Sequence, residues 1–217
     1  MKKHYPLMID LTGRFCLVVG GGEVATRKVE SLLEAGAIVT VISPDGLTIL
    51  EEWSAQGSIQ WEKRSFMIDE GVDQYKLVVA ATNNPEVNLS VYTAVTRVGG
   101  WINIVDRPDL CNFIVPSTVH RGKLVISIST SGASPGLASR IRQKIDQEFG
   151  PEYEGYVNFL AEVREHVLQT VDDPKQRRAI FRQLLNEEYL TATDEERNLK
   201  VAALLDHTKQ AGAGRQS

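Results

Sequence analysis

The apolar positions in the first part of the chain fall into short continuous runs, separated by segments with helical spacing. Residues 14–20 form a near-continuous apolar run that ends in glycines, which is typical of a strand buried on both faces of a parallel sheet. Apolar side chains recur at helical spacing over residues 23–34, and Gly36 ends that pattern. The next apolar run, at residues 38–42, completes a βαβ unit in about 30 residues.

The same alternation continues to residue 112. The pattern predicts a helix at residues 47–56, strands at 59–61 and 77–81, a second helix at 85–98 and a further strand at 101–105. Strands that alternate with helices are typical of a doubly wound parallel sheet, the α/β architecture known as the Rossmann fold. We therefore expect a Rossmann domain over residues 1–112.

The second part of the chain has a different pattern. It predicts two strands, at residues 113–115 and 123–128, joined by a turn near Arg121 and Gly122. A polar stretch then precedes a predicted helix at 136–149, and the remaining pattern is helical and charged. We expect a small α+β region, a helical C-terminal domain and a disordered tail, at residues 113–150, 151–209 and 210–217 respectively.

Charge, apolar length and cysteine usage restrict the function. A formal net charge of -4 provides no overall field that would attract nucleic acid or an anionic membrane, so we expect neither partner. No apolar stretch approaches the ~20 residues of a membrane span, and the one before Asp10 is too short for a signal peptide, which indicates a cytoplasmic protein. Cys16 and Cys111 lie within apolar segments and lack metal-ligand spacing, so we interpret both as buried thiols and expect no metal site.

A glycine-rich sequence lies between the first predicted strand and the first predicted helix. Residues 20–25 read GGGEVA and match the pattern G-x-G-x-x-A. Gly20 permits a tight turn, Gly22 lets the backbone approach a pyrophosphate, and Ala25 allows close packing of helix and strand. Amides at the start of the helix supply donors for the anion, so we expect the dinucleotide to contact Gly20, Gly22, Glu23 and Val24. The alternative is a glycine turn without a ligand.

Two further segments at strand ends are candidates for cofactor contacts. The second strand is followed by Ser43, Pro44 and Asp45, and Asp45 is the carboxylate expected to bind a ribose hydroxyl. An ordinary loop carboxylate is the alternative. No arginine follows at once to accept a 2′-phosphate, which favours NAD over NADP. Thr82 and Asn83 follow the strand at 77–81, and we expect them on the nicotinamide side.

Six short segments in the first 150 residues form a combination that is more specific than the glycine turn alone. They read YPLMIDL at 5–11, VVGGGEVATRK at 18–28, AATN at 80–83, NIVD at 103–106, FIVP at 113–116 and ISTSGASP at 128–135. With these segments in this order, the chain resembles the siroheme-synthase dehydrogenase family. That family includes bacterial precorrin-2 dehydrogenases, the N-terminal module of trifunctional siroheme synthase and the yeast bifunctional dehydrogenase-chelatase.

The resemblance implies a reaction, an assembly and one catalytic residue. The reaction is NAD-dependent oxidation of precorrin-2 to sirohydrochlorin, into which a separate or fused chelatase then inserts ferrous iron. The assembly is a homodimer in which the region after the Rossmann domain serves dimerisation. Asp106 matches the family's aspartate, which is thought to act in dehydrogenation, and a carboxylate near the nicotinamide is able to accept a pyrrolic proton or orient the macrocycle. The alternative is that Asp106 caps the turn before Arg107.

The polar stretch before the helix at 136–149 is a candidate substrate site. Ser129, Thr130 and Ser134 are expected to bind substrate carboxylates through hydroxyls and helix-start amides, while N-capping by Ser134 is an alternative that is compatible with this role. Thr130 stands where the trifunctional enzyme has a serine, and it keeps the hydroxyl group. Precorrin-2 is rich in carboxylates and requires local cations, and the candidates are Arg107, Arg121, Lys123, Arg140 and Arg142.

Two other functions remain open at this level. The first is a bifunctional enzyme that is also a sirohydrochlorin ferrochelatase, with Asp106 serving both steps. The second is a non-catalytic module that senses NAD and regulates a partner, which has no need of Asp106 or of the stretch at 129–135. His120 is interpreted as a surface-turn residue rather than a metal ligand or proton donor.

Overall fold

The computed structural model describes residues 4–213, with side chains described up to residue 206. It divides into two compact units, one ending at Val115 and the other beginning at Pro116. The Rossmann domain, the small α+β region and the helical C-terminal region expected from the sequence are all present.

The first unit is a five-stranded parallel sheet with the order β3-β2-β1-β4-β5. Its strands are β1 Phe15–Val19, β2 Ile38–Ile42, β3 Ile59–Glu62, β4 Leu77–Ala80 and β5 Ile102–Ile104. Its helices are α1 Glu23–Glu34, α2 Thr48–Ala55 and α3 Pro85–Arg97. The strand order reverses between β1 and β4, which is the topological switch point where folds of this class bind ligands.

Residues of β1 alternate between two apolar cores, one on each face of the sheet. Cys16 and Val18 pack with α1, whereas Leu17 and Val19 pack with α3. All four side chains are buried, as expected for a strand with helices on both faces. Burial also raises the pKa of the Cys16 thiol, which keeps it protonated.

The boundary between the units lies three residues beyond the expected residue 112, and the predicted strand at 113–115 does not form. The backbone carbonyl of Phe113 accepts a hydrogen bond from the side-chain amide of Asn103 at 3.0 Å, which ties this segment to β5. The Phe113 ring also packs against the core of the first unit. These contacts hold the segment in the Rossmann unit, so the next strand begins only at Ser117.

The second unit begins with an antiparallel hairpin of β6 Ser117–Arg121 and β7 Leu124–Ile128, and five helices follow in its described part, up to residue 213. The helices are α4 Pro135–Glu148, α5 Glu152–Thr170, α6 Pro174–Gln183, α7 Glu187–Leu190 and α8 Asp194–Ala213. Their core contains Phe159, Val167 and Ile180. The expected tail at 210–217 starts inside α8, because residues 210–213 continue that helix, and residues 214–217 lie outside the described residues.

Arg197 is a buried cation that connects three of these helices. Its Nε and one terminal nitrogen donate to the carbonyls of Tyr189 and Leu190 at 2.7 and 2.9 Å, and the other terminal nitrogen donates to Asp194 at 3.0 Å. The guanidinium also lies 5.6 Å from the centroid of the Phe159 ring. Arg197 therefore satisfies the last carbonyls of α7 and fixes the start of α8.

Replacing Arg197 with leucine should lower the free energy of unfolding of the helical region by about 2–4 kcal/mol, because two carbonyl groups lose their donors. Urea unfolding followed by circular dichroism measures the change. Arg182→Leu is the matched control, since Arg182 is exposed on α6 and its replacement should cost no more than about 0.5 kcal/mol. Equal effects of the two substitutions would contradict this role of Arg197.

Candidate active site

Four loops of the first unit meet at the carboxyl edge of the parallel sheet. Val19 of β1 is in register with Ile42 of β2 and with Ala80 of β4, and Ala80 is in register with Ile104 of β5. The residues that follow these strands therefore lie side by side. This edge brings together the predicted site residues of the first unit, which are Gly20, Gly22, Glu23, Val24, Ser43, Pro44, Asp45, Thr82, Asn83 and Asp106.

The glycine turn after β1 has little space on one side and open space on the other. Gly20 has φ +127°, and a Cβ placed there would lie 2.4 Å from the carbonyl oxygen of Ala81. A Cβ at Gly21 would lie 2.1 Å from the carbonyl oxygen of Asp45, whereas a Cβ at Gly22 would meet no atom within 4 Å. Sequence reasoning missed Gly21, whose only signal was its place in a run of three glycines.

The start of α1 is suited to a pyrophosphate. Gly22 is the N-cap of this helix, and no side chain among the described residues accepts a hydrogen bond from its first amides. These amides and the positive end of the helix dipole attract an anion, and the open space at Gly22 lets it approach. The residues present therefore fit a dinucleotide cofactor.

The loop after β2 is held against the glycine turn. The amide of Leu47 donates to the carbonyl of Gly21 at 3.1 Å, and the buried Ser43 hydroxyl donates to the carbonyl of Asp45 at 2.6 Å. The indole nitrogen of Trp61 donates to the Ser43 carbonyl at 3.1 Å. Ser43 thus uses its hydroxyl proton to shape the loop, while the Asp45 side chain is exposed.

The loop after β4 is fixed by Asn88, a residue of α3 that sequence reasoning did not select. Its side-chain oxygen accepts hydrogen bonds from the amide and hydroxyl of Thr82 at 3.3 and 2.8 Å, and its amide nitrogen donates to the Thr82 carbonyl at 3.0 Å. Thr82 is therefore anchored. Asn83 is exposed beside it, and its side chain makes no hydrogen bond within the described residues. The signal for Asn88 was its helical spacing from Asn84, the N-cap of α3.

Asp106 lies two residues beyond β5 and is exposed, with φ +62°. Within residues 4–206 its carboxylate accepts no hydrogen bond, so the alternative of a turn cap has no support in the structure. The neighbouring Arg107 donates instead to both carboxylate oxygens of Asp109, at 3.0 and 2.8 Å. These hydrogen bonds raise the pKa of the Arg107 guanidinium. The Asp106 carboxylate is thus free to act on a ligand.

Three hydroxyl groups of the second unit surround the start of α4. Ser134 is the N-cap of α4, and its hydroxyl oxygen accepts from the Leu137 amide at 3.3 Å, which confirms the capping alternative. The hydroxyl oxygens of Ser129 and Thr130 accept from the amides of Ser131 and Ser134, both at 3.0 Å. In each case the hydroxyl oxygen is the acceptor. All three hydroxyl protons are therefore free for an acceptor on a ligand.

The five basic residues considered for the substrate differ in their surroundings. Arg121 is bound to the carboxylate and backbone carbonyl of Asp146, at 2.8 and 3.0 Å, and Arg107 is paired with Asp109. Lys123, Arg140 and Arg142 form no ion pair in the part of the chain whose side chains are described. His120 is exposed, as expected for a surface residue, but it lies on β6 and not in the turn that follows.

The described residues contain neither a membrane-spanning helix nor a cluster of metal ligands. Between residues 4 and 213, no helix is both long and apolar enough to cross a membrane. Over the same described part, no three His, Cys, Asp or Glu side chains lie together as ligands for a metal ion.

The parallel sheet, the glycine turn and the uncapped start of α1 define a dinucleotide-binding protein of the Rossmann class. Comparison with known proteins agrees with this class. A family model described as "Putative NAD(P)-binding" matches residues 7–117, "Sirohaem biosynthesis protein central" matches 121–148, and "SirC C-terminal domain" matches 153–198. The chain belongs to the siroheme-synthase dehydrogenase family, as the sequence segments predicted.

Individual relatives give the same result. The chain is 37% identical over 182 residues to a siroheme synthase of Methylococcus capsulatus, covering 84% of this chain and 38% of that protein. It is 39% identical over 194 residues to a siroheme synthase of Methylobacillus flagellatus, covering 88% of this chain and 41% of that protein. The solved structure of SirC, a precorrin-2 dehydrogenase, matches with a TM-score of 0.79 and 28% identity, over 95% of this chain and 100% of that one. The chain thus spans about two fifths of each of these siroheme synthases and the full length of the solved SirC chain.

Proposed function

We propose that the protein oxidises precorrin-2 to sirohydrochlorin with NAD as the electron acceptor. The observation that carries this proposal is the free carboxylate of Asp106 at the same sheet edge as the open glycine turn. The glycine turn follows β1 and Asp106 follows β5, with β4 between these two strands. A cofactor site and a free acid–base group at one sheet edge are the two components that a dehydrogenase needs. A module that only senses NAD needs the first of them alone.

The oxidation removes one hydride and one proton from the substrate. NAD, when bound, supplies the nicotinamide carbon that accepts a hydride from a carbon of the tetrapyrrole. The proton leaves a pyrrolic nitrogen, and the Asp106 carboxylate is the proposed acceptor, which passes it on to solvent because Asp106 is exposed. Thr82, held by Asn88, and the neighbouring Asn83 are proposed to contact the nicotinamide side of the cofactor.

The proposed cofactor contacts follow the shape of the first unit. The pyrophosphate would be held by the amides of Gly22, Glu23 and Val24 at the start of α1. Asp45 is proposed to bind a ribose hydroxyl, with its loop fixed by Ser43. A carboxylate at this position repels a 2′-phosphate, which supports NAD rather than NADP.

Replacing Asp45 with asparagine should weaken NAD binding about 10-fold and reduce the preference for NAD over NADP, because a charge-assisted hydrogen bond to the ribose is lost. Titration with each cofactor by calorimetry measures both changes. Glu30→Gln is the control, since Glu30 is an exposed carboxylate on α1 outside the proposed site. Unchanged selectivity in Asp45→Asn would remove Asp45 from the site.

The second unit, taken by itself, carries its own proposed contacts to substrate carboxylates. The hydroxyl protons of Ser129, Thr130 and Ser134 would be donated to substrate carboxylates, since the oxygens of these groups already accept backbone amides. Cations that are not ion-paired then complete the set, and these are Lys123, Arg140 and Arg142.

A homodimer is the proposed assembly, and a separate chelatase is the proposed partner in the following step. The hairpin of β6 and β7 supports a dimer, because a two-stranded sheet is marginally stable alone and its outer edges have no strand partner within the described chain. The cytoplasm is the proposed compartment, since Cys16 and Cys111 are both buried as thiols, as is usual in a reducing environment.

The decisive experiment mixes the purified protein with NAD and enzymatically generated precorrin-2 without oxygen, and follows NADH and sirohydrochlorin together. We expect the two products in equal amounts. NAD binding without turnover would overturn the proposal and favour the sensing module. A second reaction with sirohydrochlorin and ferrous iron tests for the bifunctional enzyme, which would speed metal insertion above the rate without protein.

A further inference from the structure

The buried thiol of Cys111 lies against both sides of the turn that carries Asp106. The amide of Ile104, the last residue of β5, donates to the Cys111 sulfur at 3.1 Å. The same sulfur is 3.3 Å from the carbonyl oxygen of Ile104 and 3.3 Å from that of Arg107, and these two oxygens are alternative acceptors for its single proton. The thiol therefore contacts the residues that precede and follow the segment 105–106.

The position of β5 explains why such a contact is needed. β5 is the edge strand of the sheet, so one side of it has no neighbouring strand within residues 4–213. The side chain of Asn112 accepts from the Ile102 amide on this open side at 2.8 Å, and Cys111 accepts from the Ile104 amide. A buried amide without an acceptor costs about 1–3 kcal/mol, so Asn112 stabilises the start of the strand and Cys111 stabilises its end.

Asp106 itself adopts a backbone conformation that requires support. Its φ of +62° lies in the left-handed region, which costs a residue other than glycine about 1–2 kcal/mol. Such a conformation persists when surrounding contacts hold it in place. The hydrogen bond from the Arg107 amide to the Ile104 carbonyl is long, at 3.3 Å, so the turn depends on additional contacts.

We propose that Cys111 is the positioning residue for Asp106: its thiol holds the turn at 104–107 and so keeps the carboxylate in place for proton transfer. This inference rests on the catalytic role proposed for Asp106. The sulfur is suited to the task because it reaches one amide and two carbonyls from a single buried atom. A serine hydroxyl at this position would keep a donor and an acceptor, although its Cβ–O bond is shorter than the Cβ–S bond of cysteine. Alanine would remove both the donor and the acceptor.

The test is a double-mutant cycle with Cys111→Ala and Asp106→Asn, measured as kcat for NADH formation. Alone, Cys111→Ala should lower kcat about 10- to 100-fold with little change in NAD affinity, since a displacement of about 1 Å has effects of this size. In the Asp106→Asn background it should lower kcat less than about 2-fold, because the group that it positions is already absent. Cys111→Ser should restore part of the activity.

Amide hydrogen exchange gives a readout that does not depend on turnover. We expect faster exchange at Ile104 and Arg107 in Cys111→Ala. The control is Cys16→Ala, which removes a buried thiol at the start of β1, away from the carboxyl edge of the sheet, and should change neither this exchange nor kcat. Equal losses of kcat in both backgrounds, or unchanged exchange, would overturn the inference. If the wild-type protein forms no NADH, the proposed function fails, and exchange at these two amides alone decides whether Cys111 holds the turn.

Discussion

Replacing Asp106 with asparagine is expected to lower kcat about 10²- to 10⁴-fold, because asparagine cannot accept the pyrrolic proton and general-base catalysis contributes a factor of this size. The substitution keeps the shape of the side chain, and asparagine adopts the left-handed conformation of this position more readily than most residues. The fold and the affinity for NAD should therefore remain. Anaerobic NADH formation and NAD titration on the same preparation measure the two effects.

The control for this substitution is Asp69→Asn, which removes an exposed carboxylate in the loop between β3 and β4. Its kcat should stay within about 2-fold of the wild type, as for a surface change away from the site. A normal kcat in Asp106→Asn would show that the proton leaves without this carboxylate. The free carboxylate at the sheet edge would then need another explanation.

The second large effect is expected in the glycine turn, where Gly21→Ala and Gly22→Ala should differ in kind. A Cβ at Gly21 would lie 2.1 Å from the carbonyl oxygen of Asp45, so the loop after β2 must move. We expect Gly21→Ala to lower the melting temperature and to weaken NAD binding at least 10-fold, about 1.4 kcal/mol. The oxygen that this Cβ meets belongs to the backbone, and backbone atoms do not yield as a flexible side chain does.

Gly22→Ala isolates the effect on the cofactor. A Cβ at this position meets no protein atom within 4 Å, so the melting temperature should not fall. The methyl group would occupy the space that a pyrophosphate enters, and NAD binding should again weaken at least 10-fold. Thermal unfolding and calorimetric titration of the two variants distinguish a steric effect on the fold from a steric effect on the ligand. Normal NAD binding in Gly22→Ala would contradict the position proposed for the pyrophosphate.

Most of the Rossmann unit followed from local patterns. Continuous apolar runs predicted the buried strands, and helical spacing predicted α1 and α3, because a sheet covered on both faces leaves a plain periodic signature. The prediction of a strand at 113–115 was wrong for a related reason. A short apolar run indicates burial without indicating a hydrogen-bonding partner, and Phe113 is tied to the side chain of Asn103 instead.

The glycine turn was predicted from spacing, yet two of its supports were not. Asn88 was not recognised, because its three hydrogen bonds to Thr82 depend on how α3 packs beside the end of β4. Cys111 was correctly interpreted as a buried thiol, but a pattern of apolar residues contains no information on which backbone groups a sulfur will meet.

The amino-acid sequence by itself determined the class of fold, the dinucleotide turn and the family, since each depends on residues that are close in the chain or on motifs in a fixed order. The tertiary structure alone decided which site groups are free and which are engaged. Asp106 retains an unengaged carboxylate and Ser43 does not retain a free hydroxyl proton, because hydrogen-bond partners are set by packing between separate segments rather than by local sequence.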